Sequence, residues 1–150
     1  MAPIEKVKLA DDFSFGSQNS PEFVDVPFMA REHLQALALF VHNVTNNIPL
    51  KGKNKPSWLN DDQDRLPHTH SYEMGNYWHY HCGPNYSNQK IKSLTYNLSM
   101  NLDGLTSPEV IHYQKLDDKN ILVVGFSPYH VPFPPSDKPG FSNPLFPDDD

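Results

Sequence analysis

The chain has 150 residues, a formal net charge of −6 and a single cysteine, Cys82. That length suits one domain, the negative balance excludes a generic polyanion binder, and the lone cysteine excludes an intrachain disulfide. No apolar run has the length of a membrane span or a signal-peptide core, so a cytoplasmic setting without membrane association is expected.

Hydrophobic residues make up 37 % and aromatics 12 %, enough for a compact core, and the 15 prolines sit mostly in loops and in the last third. This favours a β-rich, loop-rich body over a helical bundle. Residues 1–24 read as an N-terminal arm. Ile4, Val7 and Leu9 in it suit a short strand or an irregular segment, and residues 16–21 suit a loop. Residues 25–47 carry the strongest helical signal. Asp25 is placed to cap and Pro27 fits a first turn. Phe28, Leu34, Leu37, Ala38, Val41, Val44 and Ile48 recur at three- and four-residue spacing, the buried stripe of an amphipathic helix. Pro49 follows and ends it. His33 and His42 fall beside the stripe and read as solvated or half-buried helix residues.

Residues 49–76 read as a long functional linker. Lys51, Lys53 and Lys55 alternate before Trp58, a pattern that suits a phosphate chain with a base stacked on the ring. It equally suits a solvated lysine loop anchored by one buried tryptophan. Asp61, Asp62 and Asp64 form an acidic loop, and His68 and His70 lead to a turn at Gly75 and Asn76.

The stretch Tyr77-Trp78-His79-Tyr80-His81-Cys82-Gly83-Pro84 alternates aromatics with histidines and then stops. A period of two puts Tyr77, His79 and His81 on one face and Trp78, Tyr80 and Cys82 on the other. Two imidazoles on one face exceed what packing asks of a core strand. Leu94, Tyr96, Leu98, Met100 and Leu102 alternate and predict a further strand over 92–102. Residues 109–116 predict a strand containing His112, Tyr113 and Lys115, residues 117–120 a hairpin turn, and 121–127 a continuous apolar strand. Tyr129 and His130 lead into a proline-rich, acidic tail over 134–150, expected to wrap the body. The expected fold is α+β: one long helix packed on an antiparallel sheet of about four strands.

Four histidines on neighbouring strands point to proton transfer. An imidazole pair deprotonates a ribose 2′-hydroxyl and protonates the leaving 5′-oxygen, with tyrosine or lysine stabilising the phosphorane, and needs no metal. The same residues could instead give a three-imidazole metal site, although nearby carboxylates are few, or could simply bond within a polar cleft.

The order of a helix, a basic loop, an H-x-H strand, "SPEVIHYQK", a hairpin, "ILVVGFSPYH" and a Pro/Phe tail resembles the RelE/ParE-like bacterial toxins, nearest to YafO-type mRNA interferases, over roughly residues 28–133. The resemblance implies a cytoplasmic endoribonuclease toxin that cleaves messenger, often on the ribosome, and is neutralised by a cognate antitoxin. It implies no cofactor, no resident metal and no DNA partner. It places His79 and His81 on the H-x-H strand, Tyr113 at the tyrosine of the next strand and His130 at the terminal histidine. His112 joins them from the strand argument alone. Lys51, Lys53, Lys55, Trp58, Lys115 and Tyr129 would hold the RNA. Two alternatives stay open: a non-catalytic interaction or inhibitor protein on the same fold, and a histidine-ligated, metal-dependent enzyme.

Overall fold

The apolar run after the hairpin becomes the strand on which the others assemble. The computed structural model describes residues 4–17, 19–20, 23–87, 90–91 and 93–129. The chain order is β1 (Lys6–Leu9), α1 (Asp11–Phe15), a 3-10 turn (Val26–Phe28), α2 (Arg31–Thr45), β2 (Asn54–Pro56), α3 (His70–Met74), β3 (Tyr77–His81), β4 (Val110–Lys115) and β5 (Asn120–Ser127). The sheet order is β1-β5-β4-β3-β2. β5 runs parallel to β1 and antiparallel to β4, and β3 is antiparallel to both β4 and β2.

The α+β class is therefore observed, but as a five-stranded mixed sheet instead of about four antiparallel strands. Two short edge strands account for the difference. β1 comes from the expected arm, where Lys6, Val7, Lys8 and Leu9 pair with residues 120–123. β2 comes from the expected linker. The strand expected over 92–102 is not formed by its described residues. Asn97 and Leu98 take φ of 51° and 56°, which turns the backbone. The chain there makes only isolated bridges, Thr95 to Leu50 and Asn101 to Asn54. Of the expected buried row, Leu98 is buried, while Leu94, Tyr96 and Met100 are exposed.

α2 starts later than expected. Asp25 and Pro27 initiate the 3-10 turn, and Ala30 precedes the helix without a side-chain cap. Its buried face is also rotated by about one residue. Leu37, Phe40 and Val44 are buried, with Ala36 and Val41 packed beside them, whereas Phe28, Leu34, Ala38 and Ile48 are exposed. Phe40 sets this orientation. Its ring lies between Tyr80 and Tyr113, with centroids 5.4 and 5.9 Å away. His33 is half-buried with its ring on Phe126, and His42 is exposed.

The face of the sheet under α2 is the apolar core: Tyr80, Ile111, Tyr113, Ile121, Val123 and Phe126. Asn54 is a polar hub at its edge. Its amide donates to the Leu98 and Ser99 carbonyls at 3.0 and 3.1 Å, and its oxygen accepts from the Tyr113 hydroxyl at 2.7 Å. One side chain thus ties β2, β4 and the 93–102 loop together. Gly52 lies where the backbone crosses β3 closely. A Cβ there would overlap the His81 carbonyl and the Tyr80 ring. The hairpin turn forms as expected, with the Asp117 carboxylate accepting from the backbone N–H groups of Lys119 and Asn120.

Candidate functional site: a histidine face and a lysine–tryptophan corner

Alternation sends His79 and His81 to the face of β3 opposite α2. Register then adds a third imidazole, because His79 lies directly across from His112 on β4. The His79 and His81 ring centroids are 5.8 Å apart. On the edge strand, Lys55 lies opposite His79, and alternation places Lys53 on the same face. The structure thus brings these five side chains to one side of the sheet, the two lysines from a stretch expected to be a linker.

Their surroundings are those of a packed interior. His79, His81 and His112 are each 3 % exposed. His79 Nδ1 is 3.2 Å from Ser57 Oγ, and His112 Nε2 is 2.7 Å from Ser127 Oγ. His81 Nδ1 lies 2.8 Å from the Ser107 carbonyl oxygen. The Ser107 backbone N–H also approaches Nδ1, at 3.3 Å, so Ser107 meets this nitrogen with both a donor and an acceptor. The Phe23 ring stacks at 5.1 Å from the ring of His112. A bulge between His112 and Tyr113 sets Gly125 opposite His112.

The remaining expected site residues are dispersed. Tyr113 is on the α2 side, fully buried, and burial pushes its phenol well above the ordinary range, so it does not join the histidines. Odd and even positions of one strand face apart, so His112 and Tyr113, neighbours along the chain, do not share the expected site. His130 and the 134–150 tail lie outside the described residues. Tyr129 is 70 % exposed at the end of β5.

The expected lysine loop is folded. Lys53 and Lys55 are held against the same Asp61 oxygen at 2.6 and 2.7 Å. The two ammonium groups hold that carboxyl down to about 2. Lys51 sits apart, 4.9 Å over the Tyr86 ring. Among the described residues, no group of three or more His, Cys, Asp or Glu side chains is arranged to hold a metal ion.

A second cluster forms on the α2 side, at the far end of β4. The Lys115 Nζ lies 3.5 Å above the Trp78 ring centroid and donates to the Leu98 carbonyl at 2.7 Å. Trp58 meets Trp78 edge-on at 6.3 Å, and Trp78 Nε1 donates to Asn76 Oδ1 at 2.8 Å. Burial lowers the Lys115 ammonium from 10.5 to about 8. The RNA contacts expected from the sequence include Lys115 and Trp58 but neither Trp78 nor Asn76. The signal was present: Trp78 and Lys115 lie on the same side of neighbouring strands.

No family model matches the chain, and no curated protein or solved structure matches it. Among the described residues no helix is long and apolar enough to cross a membrane.

Proposed function

We propose that the chain is a non-catalytic binding protein in which the strand histidines brace the sheet. The observation that carries this is the burial of His79, His81 and His112 at 3 % exposure, each on a serine partner. General acid–base catalysis needs an imidazole within hydrogen-bond reach of a substrate proton. A ribose phosphate has no such reach into a closed interior. The lysines add support. Nucleic-acid binding draws on cations that replace the counterions of phosphates, and Lys53 and Lys55 are instead committed to Asp61.

A protein partner has a surface to meet on α2. Leu34 and Leu39 are exposed there, and Leu39 borders a hollow of about 240 Å³ walled by Phe40, Tyr80 and Tyr86. Exposed apolar side chains around a hollow are the usual material of a protein contact. A net charge of −6 favours a basic partner.

A second reading keeps the endoribonuclease toxin, acting on messenger and held by an antitoxin. It is favoured by the shared face of His79, His81, His112, Lys53 and Lys55, and by the retained order of helix, lysine run, H-x-H strand and final hairpin. One experiment separates the two. Purified wild type and His81→Ala are incubated with single-stranded RNA, and both are melted. A binding protein leaves the RNA intact and loses several degrees of Tm on mutation. Cleavage by wild type, lost in a variant of unchanged Tm, would overturn that assignment and establish the ribonuclease.

A further inference from the structure

The hollow beside α2 joins an apolar floor to a single cation. It measures about 240 Å³, and Leu39, Phe40, Leu50 and Tyr80 wall it together with Tyr86 and Lys51. Phe40, Leu50 and Tyr80 are buried, Tyr86 is half-buried and Lys51 is exposed, so the apolar groups lie deep and the charge lies at the rim. Pockets for drug-sized ligands run to roughly 300–1,000 Å³, so this one suits a smaller molecule.

The deep polar groups of the wall are already taken. The Tyr80 hydroxyl accepts from the Gly52 N–H at 3.0 Å, and the buried Cys82 thiol donates to the Gly83 carbonyl at 3.4 Å. The groups that remain to address a ligand are the Asn43 amide and the Lys51 ammonium.

Lys51 is the charged side chain of this wall, and no acid stands in it. None of the ion pairs among the described residues includes Lys51. Its ammonium lies 4.9 Å over the Tyr86 ring, and that ring itself lines the hollow, so a ligand seated there meets the ammonium directly. Glu109 acts on the Tyr86 phenol from behind the wall. It is 2 % exposed, and its carboxylate accepts from the Asn85 backbone N–H and side-chain amide at 3.2 and 2.5 Å. The wall therefore presents one positive charge and no negative one. A small inorganic anion would meet that charge but leave the apolar floor unused, and a cationic ligand would meet repulsion.

We infer that the hollow beside α2 is a binding site for a small amphipathic monoanion, a short aliphatic chain ending in a carboxylate. The chain covers Phe40 and Leu50, and the carboxylate meets Lys51 and Asn43. The site goes beyond the binding-protein reading, because it places a small ligand where that reading places a partner's side chains. It does not depend on whether the histidine face is catalytic.

Isothermal titration calorimetry of the full chain with octanoate, octylamine and acetate tests it, on wild type, Lys51→Met and Ala36→Phe. Octanoate carries both chain and charge, octylamine reverses the charge, and acetate lacks the chain. The expected result is saturable binding of octanoate with a Kd on the order of 1 mM or tighter, as ligands of this size allow. Octylamine and acetate should bind at least about tenfold more weakly. Lys51→Met should weaken octanoate roughly fivefold, the loss of one rim charge. Ala36 lines the hollow, so Ala36→Phe fills it and should abolish binding, with a circular dichroism melt to check that the fold persists. Lys51 is exposed, so its variant tests the site even where Ala36→Phe does not fold. Octylamine bound as tightly as octanoate, or octanoate binding unchanged in Lys51→Met, would overturn the ligand class. No saturable binding of octanoate, or binding that a folded Ala36→Phe retains, would overturn the site.

Discussion

The two faces of this sheet bury polar groups in different ways. On the face away from α2, three imidazoles are buried, and each has a neutral oxygen partner from a serine. On the α2 face, at the corner, one ammonium is partly buried with a carbonyl and an indole but no carboxylate. Buried neutral groups that are hydrogen-bonded cost little and specify register, whereas a desolvated charge without a counter-ion costs stability. The comparison teaches that a cluster of titratable residues is not by itself a site. Each of the three histidines has a serine partner. The single lysine has a carbonyl and an indole face in place of a counter-ion.

Breaking the contrast at its strongest point means removing the core that packs α2 on the sheet. Phe40→Ala should cost about 4 kcal/mol in denaturant unfolding, the usual range for a buried phenylalanine, while Leu34→Ala on the exposed side should change little. Equal costs at the two positions would contradict the observed rotation of α2. Next comes the polar hub. Asn54→Ala strips partners from Tyr113 and from the Leu98 and Ser99 carbonyls, and should cost about 3 kcal/mol.

His81→Ala probes the histidine face itself. It removes a buried bond to Ser107 and leaves a small void, so unfolding should weaken by about 2 kcal/mol and Tm by several degrees. An unchanged Tm would detach His81 from the structure and return it to catalysis.

Lys115 sharpens the comparison through pH. Its folded value is lowered from 10.5 to about 8, so below about 8 both folded and unfolded states carry the proton and the full cost of burial is present. As pH rises from about 8 towards 10.5, the folded state releases the proton first and that cost is relieved. Wild-type stability should therefore gain on that of Lys115→Met across this window, in unfolding curves taken at successive pH values. A gap that is flat or moves the other way would mean the ammonium is not desolvated.

The smallest effect belongs to Asp61. Its carboxyl is held from 3.8 down to about 2 by Lys53 and Lys55, so its contribution is present above 3.8 and is lost as pH falls through about 2. The group is largely exposed and solvent screens it, so Asp61→Asn should only flatten the acid limb of the stability curve slightly.

Much of this could be read from alternation. The faces of Tyr77–His81, the hairpin at 117–120 and the apolar β5 follow from a period of two and from turn chemistry. What alternation does not carry is pairing between segments far apart in sequence. β1 and β2 are short and polar, and they become strands only because β5 and β3 offer partners. The 92–102 alternation failed for the converse reason. Asn97 and Leu98 turn left-handed and hand Leu98 to the core alone. For the candidate site, sequence gave the histidines a shared face but not their burial, which depends on what packs over them. It also named Lys115 without its neighbours, since Trp78 and Leu98 reach it across strand and loop.

The central claim is that the histidine face is closed and structural. Hydrogen–deuterium exchange at the imidazole C2 position, read for each histidine by mass spectrometry, tests it most directly. His79, His81 and His112 should exchange far more slowly than the exposed His42, His68 and His70 of the same chain. Exchange of His79 and His81 as fast as that of His42 would show an open face and would contradict the account.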